Sequence, residues 1–591
     1  MQTGFLPYCE IDYPLGNDRL RLEFAEADKT LLATCTDEIA PLLAQAETYA
    51  REGCWIVGYI SYEAAASFDP ALKTRMPSTG LPLACFTVYR KTAPNKRTRG
   101  DWLCGPWRDI LTRTEFDDAI AAIQLGINDG DYYQINFTTR LRANFLGDSL
   151  GFFDSLRRAQ PSAYCAYLDF GRFQVCSVSP ELFLDWDRDE KGGTVTCRPM
   201  KGTAVRDKDA LRDAAAARTL QESQKERAEN LMIVDLVRND LAKIAHTGTV
   251  KVPELFTVEA LPSVWQMTST VTCKGRAGVT LFDTLAALFP CGSITGTPKA
   301  AAMTAIAGLE RAPRGIYCGA VGVIRPGGHA QFSVGIRTAI VDADNGTVEC
   351  GVGSGIVSDS TPDGEHNEWQ AKRVIFDQAC PPYQLLETLR LHRGRYWLKQ
   401  EHLERMEHSA LTLGFIFDNA RIEAALITAA QQHDEGRVRL LLGPDGDVRV
   451  EVLPINPLPP SPVIALARSA VQSSNPWLRH KTTRREPYDT LAVAEPGVFD
   501  TLLYNEHDEL TEFIRGNLVV GLDGQLVTPP LACGLLPGVF RKVLLERKRI
   551  REQVVIREDL ARAEALWFVN SVRGCVRVRL DFLLNCERGG L

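Results

Sequence analysis

The sequence of 591 residues is too long for one hydrophobic core, so we expect at least two globular units. Apolar residues make up 45% and charged residues 24%, and the formal charge of -7 gives no reason to expect a nucleic-acid surface. The N-terminus has no basic segment followed by an apolar stretch, and no uncharged apolar run reaches the roughly 18–20 residues that span a bilayer. The 16 cysteines form no CxxC pair and are expected to be reduced. We therefore expect a cytoplasmic protein that binds neither nucleic acid nor membrane.

Proline-rich segments mark the breaks along the chain. Two consecutive prolines in Ala379–Tyr383 cannot continue the helical pattern before them. The segment Pro454–Pro462 is rich enough in proline to predict a stiff connector between two lobes. Lys91–Gly100 is a weaker break of polar composition.

Strand-like and helix-like segments alternate between these breaks. Phe173–Val178 and Gly319–Ile324 have the composition of strands. Lys225–Leu241 and Glu365–Asp377 carry apolar residues at helical spacing. The mixture predicts a multidomain α+β or α/β protein, and periodicity alone leaves the topology open.

Two kinds of feature in the N-terminal half indicate a site for an anion and a metal. Glycine clusters at Gly292–Gly296 and Gly351–Gly355 predict turns whose backbone N–H groups can approach an anionic ligand. Glu365, Glu368 and Lys372 share one face of a predicted helix, and Glu226 and Glu229 have the same three-residue spacing on another. Carboxylates from two helices suit Mg²⁺. Each feature alone is more often a turn or a solvated salt bridge, so only the combination carries weight.

The combination resembles the chorismate-utilising enzymes, which include anthranilate, aminodeoxychorismate, isochorismate and salicylate synthases. The segments that carry the resemblance are GYISYEAA (58–65), SVSPELF (177–183), RPMKGT (198–203), KERAENLMIVDLVRND (225–240), CGSITGTPK (291–299), GIRTA (335–339) and GVGSGIVSDS (351–360) followed by EHNEWQAK (365–372). The resemblance implies a domain over residues 111–380 with large antiparallel sheets and flanking helices, an N-terminal part over 1–110, chorismate as substrate and dependence on Mg²⁺.

The same resemblance assigns roles to individual residues. Glu229 and Glu368 are expected to bind the metal, with Glu365 close by. The residues expected to hold the substrate are Gln134, Gly202, Thr203, Tyr317, Arg337, Gly353, Gly355 and Lys372.

One position separates the subfamilies. Lys201 stands before Gly-Thr where anthranilate and isochorismate synthases of this family usually carry alanine, and aminodeoxychorismate synthases carry lysine. A neutral amine there can add at C2 of chorismate as the C4 hydroxyl leaves, after which ammonia adds at C4 and expels the lysine. Glu181 is the candidate acid for the departing hydroxyl. Gln134 stands where isochorismate synthases place a water-activating lysine, which counts against water as the nucleophile. The half contains no recognisable glutaminase, so ammonia is expected from a separate glutamine amidotransferase subunit.

The C-terminal half carries a second set of candidates. Residues 385–415 predict a strand, a hairpin and a helix. A pyridoxal-phosphate site needs a lysine that binds the cofactor covalently and a carboxylate for its ring nitrogen, and Lys481 and Glu512 fit these needs. Donors for the phosphate are expected from Arg405, Leu535, Leu536, Asn570 and Ser571. Lys481 alone, in a basic stretch, is more often a surface residue.

The joint pattern resembles the fold-type IV pyridoxal-phosphate enzymes, which include aminotransferases and aminodeoxychorismate lyase. It implies a two-lobed domain over 383–591, with lobes of about 383–455 and 463–591, and a homodimer through this half. The family often has Val-Thr-Arg after GLLPG, whereas this chain has Val539-Phe540-Arg541, so position 540 offers no hydroxyl to the phosphate.

Together the two resemblances imply synthesis of p-aminobenzoate, a folate precursor. Chorismate would be aminated to 4-amino-4-deoxychorismate, and a lyase would then eliminate pyruvate. The alternative is an anthranilate synthase component fused to a domain like the branched-chain or D-amino-acid aminotransferases, which Lys201 argues against. A scaffold that has lost activity is a third hypothesis, and the presence of Lys201, Glu181, Lys481 and Glu512 argues against it.

Overall fold

The computed structural model describes residues 7–581 apart from 17, 78–79, 93–96, 162–163 and 261–263. Its contacts divide the chain into two units. The first unit comprises Met1–Arg99, Trp107–Arg142 and Ser149–Cys380, and the second comprises Gly100–Pro106, Ala143–Asp148 and Pro381–Leu591. Within the described ranges, no helix has the length and apolar character that crossing a membrane requires. Every described cysteine has a free thiol.

The first unit is built on two large sheets of mainly antiparallel strands. One sheet runs in the order Gly296–Thr297, Gln134–Gly147, Thr347–Ile356, Thr338–Asp342, Phe173–Ser179, Tyr164–Asp169, Tyr8–Leu15 and Asp18–Phe24, with Arg108–Asp109 beside Gln134–Gly147. The other runs in the order Met200–Val205, Val264–Lys274, Thr194–Arg198, Leu182–Asp187, Ala330–Val334, Ala320–Ile324, Trp55–Ile60, Ala84–Tyr89 and Lys29–Ala33, with Lys251–Ala260 beside Val264–Lys274. The α-helices are Ile39–Arg51, Arg113–Asn128, Ser149–Ala159, Ala210–Glu222, Gln224–Ala242, Leu281–Leu288, Lys299–Leu309 and Pro362–Ala379.

The strand Trp55–Ile60 shows why its sequence is apolar throughout. Successive side chains of a strand point to opposite faces of the sheet. Ile56 and Ile60 belong to a core that includes residues of the flanking helices, whereas Val57 and Tyr59 pack into a second core with residues of the other sheet. Because both faces are covered, the strand has no position for a polar residue.

The predicted elements of the first unit are confirmed except for one. The strands Phe173–Ser179 and Ala320–Ile324 and the helices Gln224–Ala242 and Pro362–Ala379 lie where the sequence places them. The prediction of a turn at Gly351–Gly355 is wrong, because this segment lies inside the strand Thr347–Ile356. None of these glycines has a positive φ, and they instead allow neighbouring side chains to pack closely, as described below.

The second unit contains two sheets. The smaller runs in the order Arg395–Trp397, Leu385–His392, Glu435–Leu442 and Val448–Leu453. The larger runs in the order Leu510–Phe513, Val498–Tyr504, Val463–Leu466, Gly574–Leu580, Ala565–Asn570, Gly516–Leu522, Gln525–Thr528 and Arg551–Glu552. The α-helices are Lys399–Leu413, Asn419–Gln432, Glu486–Asp489 and Val539–Glu546. The proline-rich segment Pro454–Pro462 has no regular structure and joins the two sheets.

Two short segments from earlier in the chain complete the second unit. The strand Trp102–Cys104 pairs with Phe145–Gly147. The indole N–H of Trp477 donates to the Trp102 carbonyl at 2.8 Å, and the Tyr383 hydroxyl donates to the Cys104 carbonyl at 3.2 Å. The core of the smaller sheet includes Leu103.

Two candidate active sites

A β-bulge fixes the direction of Lys201 in the first unit. The register of Met200–Val205 against its neighbouring strand shifts between Met200 and Thr203, and Gly202 has a φ of +91°. A bulge of this kind re-aims a side chain, and glycine adopts positive φ without steric cost. A Cβ atom placed on Gly355 would lie 2.8 Å from Lys201 Nζ and 2.2 Å from Gln134 Nε2. The Lys201 amine and the Gln134 amide therefore both lie next to Gly355, in the space that a larger side chain there would fill.

Four carboxylates surround this amine. Lys201 is close enough for its positive charge to favour the ionised forms of Glu181, Glu226, Glu229 and Glu368, against the effect of their burial. Burial nevertheless raises the pKa of Glu181 to about 7, although its carboxylate accepts a hydrogen bond of 2.7 Å from the Ser293 hydroxyl. A carboxyl group with this pKa is protonated in part at neutral pH, as a general acid requires.

The pKa values of the other three carboxyl groups shift in different directions, depending on the charges beside them. Burial raises the pKa of Glu226 and of Glu229, and repulsion from neighbouring carboxylates adds to it. Burial alone would raise the pKa of Glu368, but Lys372, whose Nζ lies 2.7 Å from Glu368 Oε1, outweighs it and the pKa falls. Like charges held together in this way favour a bound cation.

The carboxylates fit a Mg²⁺ ion that is bound by only one or two protein ligands. Among the residues that the structure describes, no three acidic, histidine or cysteine side chains already form a metal cluster. Mg²⁺ does not need one, because it keeps several waters and is often bound by one or two carboxylates plus substrate oxygens. Glu229 and Glu368 could hold it in this way.

Glu365 does not fit the metal role that the sequence suggested. Its two carboxylate oxygens accept hydrogen bonds from Ser354 and Ser360 at 2.5 and 2.6 Å, and the Trp369 indole donates to the same Ser354 hydroxyl. The side chain thereby ties the helix Pro362–Ala379 to the preceding strand. Glu226 is the better third carboxylate, since Glu229 and Glu368 both raise its pKa. Its spacing from Glu229 was the signal for it in the sequence.

Most of the residues expected to hold the substrate have polar or charged groups that are available to an anion. Arg337 has a φ of +50°, and burial lowers its pKa to about 10. No acidic side chain in the described part of the chain pairs with it, so a bound anion would supply the missing charge. Gln134 Oε1 is buried without a hydrogen-bond partner among the described residues. Lys372 donates to the Gly353 carbonyl at 2.8 Å.

Tyr317 and Thr203 differ in how well they fit their expected roles. A Cβ on Gly351 would lie 2.2 Å from the Tyr317 ring, so the glycine makes room for it, and the Arg140 guanidinium lies 4.9 Å from the ring centroid. Thr203 is exposed, and its hydroxyl donates to Gln266 Oε1 at 3.0 Å. The structure gives Thr203 a structural partner and no evident place at the substrate.

The second unit contains a cavity of about 370 Å³ at whose wall Lys481 lies. The Lys481 carbonyl accepts a hydrogen bond of 2.9 Å from the backbone of Leu386, which ties the lysine to the smaller sheet. Burial and the charge of Arg405 lower the pKa of Lys481 to about 8. A surface lysine would not have this environment.

Glu512 lies buried at the same cavity. Its carboxylate accepts hydrogen bonds from the Tyr488 hydroxyl at 2.9 Å, the Leu536 backbone N–H at 3.0 Å and Asn517 Nδ2 at 3.2 Å. Burial raises its pKa to about 7. A protonated ring nitrogen would offset this burial, so Glu512 fits the partner of the pyridine ring.

A buried network that the sequence analysis missed holds Arg405. Glu387 accepts two hydrogen bonds of 2.7 Å from the Arg405 guanidinium, and His402 Nδ1 lies 2.6 Å from Glu387. His402 Nε2 lies 2.8 Å from the Ser571 hydroxyl. The network fixes Arg405 and Ser571 at the cavity wall. The three-residue spacing of His402 and Arg405 on one helix was a signal that could have revealed it.

Three expected phosphate donors do not fit that role, two because they have other partners and one because it lies away from the cavity. The Leu536 N–H is given to Glu512, and Leu535 is fully buried and does not line the cavity. The Asn570 side chain holds a turn, accepting the N–H groups of Val572 and Arg573. In their place, the N-terminus of Val539–Glu546 lines the cavity and has no side-chain cap. Free N–H groups there, with Arg405, could hold a phosphate.

The chain matches the sequence models of two families. The sequence model of the chorismate binding enzyme family matches residues 17–376, and that of amino-transferase class IV matches residues 384–580. Aminodeoxychorismate synthase component 1 of Salmonella typhimurium is 40% identical over 266 residues, which are 45% of this chain and 57% of that protein. Anthranilate synthase component 1 of Aquifex aeolicus is 37% identical over 262 residues, 44% of this chain and 52% of that protein.

These relatives are matched over only part of their length. The chain spans a little over half of each of the two. The crystal structure of anthranilate synthase component I from Streptococcus pneumoniae superposes with a TM-score of 0.50 at 24% identity, covering 63% of this chain and 90% of that one. This likeness establishes the fold of the first unit.

Proposed function

Because this chain belongs to the chorismate binding enzyme family, we propose that it makes p-aminobenzoate in two steps, one at each lysine. Chorismate is aminated at the Lys201 site to 4-amino-4-deoxychorismate. That product loses pyruvate at the Lys481 site. The observation that carries the proposal is the Lys201 amine, which lies beside Gln134 and close enough to influence the buried Glu181, whose pKa is about 7.

The first step uses Lys201 as a nucleophile. Its neutral amine forms a bond to C2 of chorismate while the C4–O bond breaks, and Glu181 gives its proton to the leaving hydroxyl. Ammonia then forms a bond at C4 as the C2–N bond to Lys201 breaks. Gln134 cannot activate water as a lysine would, so ammonia is favoured as the entering group.

The substrate's two carboxylates need positive partners. Mg²⁺ held by Glu229 and Glu368, with Glu226 nearby, would supply charge for one of them. Arg337, which has no acidic partner among the described residues, supplies charge for the other. Ammonia is expected from a separate amidotransferase subunit, in keeping with the name component 1 of the Salmonella relative.

The second step uses residues of the cavity. Pyridoxal phosphate, when bound, supplies an electron sink. Lys481 would bind the cofactor at rest, and its amine would afterwards take the proton from C4 of the substrate, for which its pKa of about 8 is suitable. Glu512 would keep a proton on the ring nitrogen, and Arg405 would hold the phosphate. Loss of pyruvate from C3 makes the ring aromatic and drives the step.

The test is to incubate the full chain with chorismate, an ammonium salt, Mg²⁺ and pyridoxal phosphate. Equal amounts of p-aminobenzoate and pyruvate are expected, with aminodeoxychorismate as a detectable precursor. Anthranilate as the product would overturn the first step. Aminodeoxychorismate that accumulates without conversion would overturn the second.

A further inference from the structure

The cavity of the second unit contains more positive charge than a cofactor requires. The charged neighbours of Lys481 are Arg405, Arg485, Glu387 and Glu512, which belong to the candidate cofactor site. A separate group on the same wall consists of Arg437, Arg515 and Arg573, called here the arginine cluster. None of the three has a role in the steps described above.

The cluster is built by specific contacts. Asn570 Nδ2 donates to the Arg515 carbonyl at 3.0 Å, and Asn570 Oδ1 accepts the N–H of Arg573 at 2.8 Å. The Asn570 side chain therefore fixes the two backbone segments that carry these arginines. Arg573 Nη2 donates to the Asn456 carbonyl at 3.0 Å, which limits the freedom of its side chain. Arg437 lies on the strand Glu435–Leu442, on the same face as Arg439, which also lines the cavity.

The charge of the cluster is only partly neutralised. Two other arginines at the cavity have acidic partners, since Arg405 pairs with Glu387 and Arg439 with Glu451 at 3.0 Å. Arg515 pairs with Asp500 at 3.0 Å. For Arg437 and Arg573, no acidic partner exists among the residues that the structure describes. Burial, and then the charges of Arg515 and Arg437, lower the pKa of Arg573, so the three cations are close enough to repel one another.

Apolar side chains line the cavity beside these cations. Phe499 and Phe568 both contribute to the wall, with ring centroids 5.1 Å apart, together with Ile514 and Val572. Ligand cavities combine an apolar wall for the body of a molecule with a few polar groups that fix its orientation. A ring that carries carboxylates would satisfy both parts of this surface.

We propose that Arg437 and Arg573, supported by Arg515, bind the carboxylates of a ring dicarboxylate and so select it over an amino acid with one carboxylate. This inference rests on the proposed lyase step and names the residues that set its specificity. Arginine suits the role because its planar guanidinium binds a carboxylate through two parallel hydrogen bonds.

The test uses the full chain loaded with pyridoxal phosphate and an unreactive probe. The probe is 3-(1-carboxyvinyloxy)benzoate, which has two carboxylates and no amine, and 3-ethoxybenzoate is its counterpart with one carboxylate. Binding is followed by the change in the cofactor's absorbance, which responds to the Lys481 cavity and not to the Lys201 site. The variants are Arg437→Gln and Arg573→Gln, with Arg577→Gln as control because Arg577 is exposed and does not line the cavity.

Each cluster variant is expected to weaken binding of the dicarboxylate about ten- to hundredfold, since each removes a charged hydrogen bond. Binding of 3-ethoxybenzoate is expected to change less, and the control should match the parent chain. Cofactor content should stay unchanged. Unaltered dicarboxylate affinity in both variants would overturn the inference, and so would loss of the cofactor, which would assign the arginines to the phosphate.

The outcome separates this inference from the proposed function. If the parent chain converts aminodeoxychorismate but the variants bind the probe normally, only the arginine assignment fails. If the parent chain binds the dicarboxylate through these arginines but releases no p-aminobenzoate, the lyase step fails and the specificity for a dicarboxylate remains.

Discussion

The two candidate lysines lie in opposite electrostatic surroundings. Lys481 has Arg405 and Arg485 as neighbours in a buried cavity, and its pKa falls to about 8. Lys201 instead lies among Glu181, Glu226, Glu229 and Glu368. The difference shows that, in the second unit, burial and a neighbouring arginine already lower the pKa of the amine. In the first unit the amine lies instead among carboxylates, and two of these, Glu229 and Glu368, are the candidate ligands of a cation.

Replacing Lys481 tests the independence of the two sites most strongly. Lys481→Ala should lower lyase activity by about 10⁴-fold or more, because it removes the group that moves the proton. The cofactor's absorbance band should be lost, while amination of chorismate continues. Lys542→Ala, an exposed lysine of the same unit, is the matched control. Loss of amination together with the lyase would show that the sites do not act separately.

The reciprocal change is Lys201→Ala. Amination should fall by about 10³-fold or be diverted to another nucleophile, because covalent activation at C2 is lost. Conversion of supplied aminodeoxychorismate should match the parent chain. The exposed Lys208→Ala serves as control. Normal amination in Lys201→Ala would remove the assignment of the nucleophile.

The acid at this site predicts a pH dependence. Glu181 must be protonated to act, and its pKa of about 7 means that the active fraction falls as pH rises through this value. Amination should therefore decline above about pH 7, and Glu181→Gln should lower it by about 10²-fold and remove that decline. The measurement is the rate of aminodeoxychorismate formation against pH. A decline that persists in the variant would assign the titration to another group.

The metal assignment predicts a smaller and more selective effect. Glu229→Gln should raise the Mg²⁺ concentration for half-maximal amination by about ten- to hundredfold, because a ligand is lost. Glu365→Gln should leave that concentration unchanged within about threefold and lower thermal stability instead, since it weakens a charged hydrogen bond to two serines. Equal Mg²⁺ dependence in the two variants would contradict the distinction drawn between them.

The sequence predicted the helices and strands better than it predicted the hydrogen-bond partners of polar groups. Apolar runs such as Gly319–Ile324 indicated strands because a strand covered on both faces has no polar position. The segment Gly351–Gly355 was assigned to a turn because glycine composition alone does not distinguish a turn from a strand on which a neighbour packs closely. Leu536 and Asn570 were assigned to the phosphate because a sequence does not reveal which polar groups already have partners. The bulge that aims Lys201 depends on register between strands, which no local pattern records.

The short segments Gly100–Pro106 and Ala143–Asp148 belong to the second unit although they precede most of it by more than two hundred residues. Trp477 and Tyr383 donate hydrogen bonds to the carbonyls of Trp102 and Cys104. The later half of the chain therefore depends on backbone groups that come much earlier in the sequence. A gene divided after codon 380 would leave that half without a strand and with an exposed indole. A single cut at this point would therefore remove part of the second unit.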